Sequence, residues 1–305
     1  NREGSKPGDG QIAAVALMDA RSIAATAARG GVLTPATDLD VRYENPKYYF
    51  DQSVYQARVY DGCGRPDPQA ELQFGPNIAD WPAMQPLADN LLLCVASLIT
   101  DPVTTTDELI PSGETSSYRS NPLRLAQFTL SRKDPAYVGR AKAVQALEQA
   151  RLDGTEITDD ALLAAFAAAR TIDGSATLAN TGVGSVVYAV RPGDGSAREQ
   201  AASCQKVLGT FANIAKEYAT KRYRSNLINW GMLPFLCEQT PFAVGQYLFV
   251  PGVRAAVEQA QAEIQAYAID GGRVTPFTLR LAGLTDDERK IILAGCLINY
   301  YRDGN

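Results

Sequence analysis

The sequence predicts an α/β fold for most of the chain, on two observations. Residues 91–100 and 183–190 are continuous apolar runs bounded by turn residues, which is typical of strands buried on both faces. Segments with helical periodicity separate and follow them, and alternation of strand and helix indicates an α/β domain. We expect this domain to extend from about residue 76 to residue 305, after a separate region, residues 1–75.

The composition excludes several kinds of chemistry. The 305 residues include no histidine, so the chain alone can build neither a Ser-His-Asp or Cys-His nucleophile nor a histidine-ligated zinc site. The five cysteines are too far apart for a CxxC metal-binding turn. They are Cys63, Cys94, Cys204, Cys237 and Cys296. The net charge of −5 argues against a nucleic-acid partner, although it does not exclude a local basic patch.

The apolar segments and the cysteines indicate the protein's location in the cell. No apolar stretch reaches the length of a membrane span, so we expect no membrane association. An odd number of cysteines without a signal peptide favours reduced thiols and a cytoplasmic location. Because the chain begins with Asn1, we expect it to be a fragment or a processed product.

Residues 1–75 are predicted to hold one helix and an irregular connector. Residues 11–29 are rich in alanine and end at Gly30-Gly31, which predicts a helix with a glycine stop. Residues 32–76 contain many turn residues and one short strand candidate, residues 53–59.

The larger region is predicted element by element. The strand at 91–100 leads into a polar loop, residues 101–121, of the kind that carries function on a rigid scaffold. Further strands are predicted at 242–250 and 274–281. Helices are predicted at 134–152, 158–169, from 196 onward, 218–230, 253–265 and 285–301, the last with a Thr285 and Glu288 capping box.

The strongest candidate site is the turn that runs from Gly193 to Glu199. A buried strand enters a glycine-rich turn, and the turn opens a helix whose free N–H groups favour an anion. Arg198 adds a guanidinium that matches a carboxylate. A plain capping box between Ser196 and Glu199 explains the same residues, so both interpretations are open at this point.

Two other polar segments have competing explanations. The loop that carries Asp107, Glu108 and Arg119 could position an acid and a carboxylate clamp, or it could be an ordinary solvated loop. Residues 221–226 hold three cations and an aromatic side chain, which fits an RNA patch less well than a charged helix face. For Cys204 and Cys296, core packing is a better explanation than reactivity.

Taken together, these motifs resemble the aconitase family of hydro-lyases, in its C-terminal swivelling domain. Thr105-Thr106-Asp107 resembles the family's Thr-Thr-Asp motif, and Tyr118-Arg119 lies where that domain carries a substrate-binding arginine. The other matching segments follow in the family's order: Gly195-Ser196-Ala197-Arg198-Glu199, then Arg222, Asn226 and Gly231-Met232-Leu233-Pro234, then the last helix around Cys296. Asn1-Arg2-Glu3-Gly4 is similar to the end of the family's preceding domain, in which an arginine binds substrate.

The resemblance implies a fold, a reaction and a partner. It implies a three-layer β/β/α swivelling domain over residues 76–305, with residues 1–75 as the end of the preceding domain plus a connector. The reaction would be reversible dehydration of a tricarboxylic hydroxy acid, citrate or isocitrate first, in which Ser196 is the base and Asp107 orients the hydrogen-bond network. Arg119, Arg198 and Arg2 would bind carboxylates. N-terminal domains of the same enzyme would hold a [4Fe-4S] cluster, so this fragment alone should bind no cofactor and be inactive.

Three departures from the family pattern leave the substrate open. Ala197 replaces a serine, and Glu108 and Tyr223 stand where relatives often have histidine. Homoaconitate, methylcitrate or isopropylmalate-like acids are alternative substrates. A non-catalytic, RNA-binding module is the alternative function.

Overall fold

The structure is a computed structural model that describes residues 16–42, 44–56, 64–71, 73–281 and 283–304. The chain divides into two compact units, residues 1–73 and residues 74–305.

The first unit contains two short α-helices in its described part. Helix α1 spans Ala20–Ala28, and it begins there because the Asp19 carboxylate accepts hydrogen bonds from the backbone N–H groups of Arg21 and Ser22. The prediction of a helix at 11–29 is therefore wrong for residues 16–19, and residues 11–15 lie outside the described part. The predicted stop is confirmed, since Gly30 and Gly31 have positive φ angles of 66° and 92°.

The predicted strand at 53–59 is wrong over its described residues. Ser53–Gln56 form the four-residue helix α2 instead. The cause is local: the Asp51 carboxylate accepts hydrogen bonds from both the N–H and the hydroxyl of Ser53, which turns the chain at this point. Residues 57–59 lie outside the described part.

Over its described residues, the second unit has nine strands, with helices packed against them. The strands are β1 Asn90–Ile99, β2 Thr104–Thr105, β3 Thr181–Ala189, β4 Pro192–Asp194, β5 Thr210–Ala215, β6 Leu233–Leu236, β7 Tyr247–Val250, β8 Glu263–Asp270 and β9 Arg273–Arg280. The α-helices are α3 Thr106–Leu109, α4 Pro122–Ala126, α5 Tyr137–Asp153, α6 Asp160–Ile172, α7 Arg198–Val207, α8 Lys221–Asn229, α9 Val253–Glu258, α10 Asp286–Ala294 and α11 Leu297–Arg302.

Seven of the strands close into a barrel in the order β1-β3-β5-β6-β9-β8-β7. The neighbours β1, β3, β5 and β6 run parallel, whereas the pairs that involve β7, β8 and β9 are antiparallel. The predicted strands at 91–100, 183–190 and 274–281 correspond to β1, β3 and β9. The α/β swivelling class predicted from the sequence is confirmed.

Alternate residues of β1 pack on opposite sides of the sheet. Leu91, Leu93 and Val95 belong to one apolar cluster, together with residues of the other barrel strands. Leu92 and Cys94 belong to a second cluster, with side chains of α5 and α6. Burial on both sides explains the continuous apolar run of this strand, because neither face tolerates polar side chains.

Three element predictions in the second half need correction. The helix predicted at 253–265 ends at Glu258, Ala260 has a φ of +55°, and the chain then forms β8. The helix at 285–301 is broken into α10 and α11 at Gly295, whose φ is +90°. A β-carbon on Gly295 would lie 2.1 Å from the Gln85 carbonyl oxygen. The helix is therefore interrupted where a glycine lets two backbone segments come close together. Of the strand predicted at 242–250, only Tyr247–Val250 form a strand, β7.

Candidate active site

Two loops from neighbouring parallel strands form the candidate site. Because β1 and β3 are parallel neighbours, the loops after them leave the same edge of the barrel. These loops then pair with each other, since β2 and β4 form a two-stranded parallel sheet with Thr104 opposite Pro192 and Thr105 opposite Asp194. The structure thus places the Thr-Thr-Asp segment directly beside the Gly193–Glu199 turn.

Two glycines allow this close approach. A β-carbon on Gly195 would lie 2.0 Å from the Thr106 hydroxyl oxygen, and one on Gly193 would lie 2.4 Å from the Tyr223 ring. Both glycines also have positive φ angles, 137° and 96°, which side chains with a β-carbon rarely adopt. The turn is therefore in van der Waals contact with both the Thr106 loop and α8.

The capping interpretation of Ser196 is wrong. Helix α7 begins at Arg198, its N-cap is Ala197, and no side chain caps it. Glu199 does not reach back to the turn, because its carboxylate accepts a hydrogen bond of 3.0 Å from the Trp230 indole N–H. Trp230 in turn packs on Trp81, with ring centroids 4.4 Å apart. The exposed Ser196 hydroxyl forms no hydrogen bond with any residue that the structure describes.

Ser196 and Arg119 line one cavity of about 340 Å³. Its other lining residues are Ser112, Ala197, Glu199 and Gln200. Arg119 follows a 3₁₀ turn, Ser116–Tyr118, and its exposed guanidinium has no ion-pair partner among the described residues. The cavity therefore brings together the Ser196 hydroxyl, the Arg119 guanidinium and the uncapped start of α7. These three groups together suit a carboxylate ligand.

Asp107 lies beside the cavity and does not line it. Its carboxylate accepts hydrogen bonds from the Arg132 guanidinium at 2.7 Å and from the backbone N–H of Ser112 at 3.2 Å. Arg132 also binds Glu114 at 2.6 Å. The hydrogen bond to Glu114, followed by the charge of Glu114, raises the pKa of Arg132. Asp107 reaches the cavity through Ser112, whose backbone it holds.

Arg132 was not identified from the sequence, whereas Glu114 lies in the polar loop, residues 101–121, that the sequence singled out. Arg132 is 25 residues from Asp107 along the chain, so spacing gives no signal that the two interact. Ser112 lies in the same predicted loop, but no role was assigned to it. Gln200 was not identified, because a single polar side chain in a first helical turn has no distinguishing pattern.

Glu108 has a structural role in this loop. It forms a capping box with Thr105 at the start of α3, and it accepts a hydrogen bond from Lys133 at 3.3 Å. Partial burial raises the pKa of Glu108, but the hydrogen bonds from Thr105 and Lys133 lower it by more, so the net shift is downward. These contacts give the glutamate at position 108 a structural reason.

Arg198 does not line the cavity. Its Nε donates a hydrogen bond of 3.1 Å to the Thr220 hydroxyl, which also caps α8 by accepting from the backbone N–H of Tyr223. The Thr220 hydroxyl donates to the carbonyl oxygen of Gly193 at 3.2 Å. Arg198 therefore ties the start of α7 to the start of α8 beside the glycine turn. Arg2 lies outside the described residues.

The cationic segment on α8 has a buried aromatic centre. Lys221 and Arg222 are exposed, whereas Tyr223 is fully buried. The Tyr223 hydroxyl donates to the Asn213 side-chain oxygen at 3.0 Å and accepts from the Gln205 amide at 2.9 Å. Gln205 and Asn213 are also hydrogen-bonded to each other at 2.8 Å. Tyr223 is thus held in place by a buried polar triangle with Gln205 and Asn213.

The described residues do not fit an iron–sulfur cluster. Over the described ranges, no group of three or more His, Cys, Asp or Glu side chains could hold a metal ion. Cys204 and Cys296 are buried, as core packing predicts. Burial raises the pKa of the Cys204 thiol to about 12, which opposes the thiolate form that a metal requires.

A larger cavity, about 570 Å³, lies between β6 and β9 and contains none of the predicted site residues. In the part of the chain that the structure describes, no helix is long and apolar enough to cross a bilayer.

The barrel and the paired loops define an α/β domain, with the cavity lined by Ser196 and Arg119 beside the loops. Residues 168–240 match the family model of the aconitase C-terminal domain, a segment that includes Ser196, Arg198 and Tyr223. This match confirms, for that segment, the resemblance to the aconitase family that the sequence motifs indicate.

Comparison with solved structures gives a similar protein. The 3-isopropylmalate dehydratase (leuD) of Methanocaldococcus jannaschii is 19% identical, over 70% of this chain and 94% of that chain, with a TM-score of 0.42. No curated protein sequence matches this chain significantly.

Proposed function

We propose that the cavity lined by Arg119 and Ser196 takes part in the reversible dehydration and rehydration of a tricarboxylic hydroxy acid, with citrate and isocitrate, via cis-aconitate, as first choice. One observation supports this most strongly. A guanidinium and a hydroxyl, each without a hydrogen-bond or ion-pair partner among the described residues, come from two different loops and line the same cavity. Such a pair can hold a carboxylate and act on the neighbouring carbon.

Ser196 is the base in this proposal. As an alkoxide it would take a proton from the substrate carbon next to a carboxylate, and the electron pair would move into that carboxylate as an enediolate. The hydroxide on the adjacent carbon would then leave as the double bond forms. An ordinary serine hydroxyl is too weak a base for this, so its charged form needs support from nearby positive potential.

The start of α7 supplies that potential. No side chain caps this ten-residue helix, so its first N–H groups remain available to an anion. Arg198 in the first turn adds a positive charge, although its Nε is bound to Thr220. Ala197 lacks the hydroxyl that the family's second serine provides, so the backbone carries more of the stabilisation here than in typical relatives.

Arg119 clamps a substrate carboxylate, while Asp107 acts indirectly. The guanidinium has five N–H donors in a fork that matches a carboxylate, and no described residue competes for it. Asp107 holds the Ser112 backbone and is itself held by Arg132, so it positions one wall of the cavity.

Further domains of the same enzyme complete the site in this proposal. Because the described residues do not fit a [4Fe-4S] cluster, those domains would hold it, and this chain alone would not turn over substrate. Arg2 would add a second carboxylate clamp. Homoaconitate, methylcitrate and isopropylmalate-like acids are alternative substrates, because Arg119 can bind a carboxylate of any of them.

The test is turnover by the complete enzyme with each candidate acid in turn. We expect hydration of cis-aconitate to be fastest, and we expect Ser196→Ala to abolish it while the protein still unfolds cooperatively. Ser225→Ala is the matched control, because Ser225 is exposed on α8 and does not line the cavity. Normal turnover in Ser196→Ala would refute the assignment of the base.

A further inference from the structure

Lys206 is a buried amine that the proposed reaction does not use. It lies in the last turn of α7, the residue is only 5% exposed, and its ammonium forms neither an ion pair nor a hydrogen bond with any described residue. The Nζ atom lies 5.3 Å from the centre of the Phe211 ring. A charged amine buried without a carboxylate is costly, so this position holds a larger fraction of neutral amine than an exposed lysine does.

Lys206 lines a second, very small cavity. Its volume is about 20 Å³, and its other walls include Gln85, Leu91, Glu148 and Arg151. A cavity needs roughly 10–15 Å³ to hold one water molecule, so this one admits a molecule of only a few atoms. Acyl donors and sugars are too large to reach the amine.

We propose that Lys206 captures carbon dioxide as a carbamate. The amine lone pair attacks the carbon of carbon dioxide, a C–N bond forms, and one C=O bond becomes a C–O⁻ group. The amine nitrogen loses one proton to solvent, so a neutral amine and carbon dioxide give a carbamate anion and a proton. No oxidant or other co-reactant is needed.

The cavity provides partners for the anion that would form. The Arg151 guanidinium has five N–H donors, of which three are engaged: two by the Glu148 carboxylate and one by the Leu178 carbonyl. Two therefore remain. The exposed Gln85 side chain forms no hydrogen bond with described residues. Glu148 opposes an added negative charge, but it is compensated by Arg151 and by a hydrogen bond from the Val183 backbone N–H at 2.8 Å.

The protonation of Lys206 agrees with this chemistry. Burial lowers the pKa of Lys206 to about 8, an effect that the nearby Cys296 thiol opposes, so a fraction of neutral amine is present near neutral pH. The other ionisable groups around it, Glu148 and Arg151, are paired with each other. Carbamate formation should therefore increase as the pH rises toward and past that value.

Carbon-13 NMR of the full chain in ¹³C-labelled bicarbonate tests the proposal. We expect a protein carbamate resonance that grows with pH and that is lost in Lys206→Arg, which keeps the charge but cannot form the adduct. Lys216→Arg is the matched control, because Lys216 is exposed, and it should retain the resonance.

Two results would overturn the proposal: no carbamate resonance in the wild-type protein at saturating bicarbonate, or an equal resonance in Lys206→Arg. If Lys206→Arg does not fold, Lys206→Met replaces it. Because Lys206 does not line the cavity of Ser196, turnover plays no part in this test, and its outcome is independent of the proposed function.

Discussion

The hydroxyl oxygen of Thr106 lies 2.0 Å from the position that a β-carbon on Gly195 would occupy. The glycine turn and the Thr-Thr-Asp loop are therefore packed so closely that only glycine fits between them. This contact fixes Ser196, the next residue, relative to Arg119 on the other loop.

Gly195→Ala should strongly reduce turnover and stability. The new methyl group meets the Thr106 side chain and the backbone N–H of the same residue, so one loop must move. Gly245→Ala is the matched control, because Gly245 also has a positive φ, 89°, but has open space around it. Backbone strain at a positive φ costs each variant about 1–3 kcal/mol. We expect chemical denaturation to show a clearly larger loss for Gly195→Ala. Equal losses would mean that the Thr106 contact contributes nothing.

Arg132→Gln should lower kcat by about 100-fold if a misplaced Asp107 shifts the Ser112 wall by roughly 1 Å. Arg132 binds both Asp107 and Glu114, and both carboxylates would lose their partner. Arg280→Gln serves as control, since Arg280 forms a comparably exposed ion pair with Glu238 away from this cavity. Steady-state kinetics of the complete enzyme measures the effect. A wild-type kcat in Arg132→Gln would exclude a positioning role.

Glu108 should make the protein sensitive to acid. Its pKa is lower in the folded state than in the unfolded chain, where the ordinary value is 4.5. The unfolded state therefore binds more protons in this range, and the stabilisation from Glu108 is fully present above pH 4.5 and is lost as the pH falls through the lower folded value. Urea unfolding as a function of pH should show this loss in the wild type and a smaller one in Glu108→Gln. The same acid dependence in both proteins would contradict it.

Tyr223→Phe should destabilise the domain by about 1–3 kcal/mol, because it leaves the buried Asn213 and Gln205 side chains short of one partner. The ring that packs on Gly193 is kept, so the change isolates the hydroxyl. Tyr300→Phe is a control with an exposed partner, Asp287. Thermal unfolding measures both variants. No difference between them would show that the polar triangle does not stabilise the fold.

Elements with a strong local pattern were predictable from the sequence, and short ones were not. β1 and β3 are continuous apolar runs, which a buried parallel strand requires. β5 and β6 have only six and four residues, and the buried Thr210 and Asn213 interrupt the apolar pattern of β5. The helix predicted at 253–265 was wrong because its last residues begin β8, one of the strands that close the barrel. Hydrophobic periodicity along the chain gives no signal for barrel closure.

The candidate site was predictable only in part. Motif order identified Ser196, Arg119 and Asp107, and the structure places the first two on one cavity. The sequence could not show that Ala197 is the N-cap of α7, which removes the capping explanation for Ser196. Nor could it show the ion pair between Arg132 and Asp107, because this contact depends on how the loop after β1 folds back.

Solvent exchange at the substrate carbon tests the central claim most directly. The complete enzyme, with substrate in deuterium oxide, should exchange the substrate's abstracted hydrogen for deuterium, as mass spectrometry or NMR can follow. Ser196→Ala should lose this exchange while its substrate affinity stays close to that of the wild type, because Arg119 still binds the carboxylate. Exchange at the wild-type rate in Ser196→Ala would contradict the assignment of Ser196 as the base.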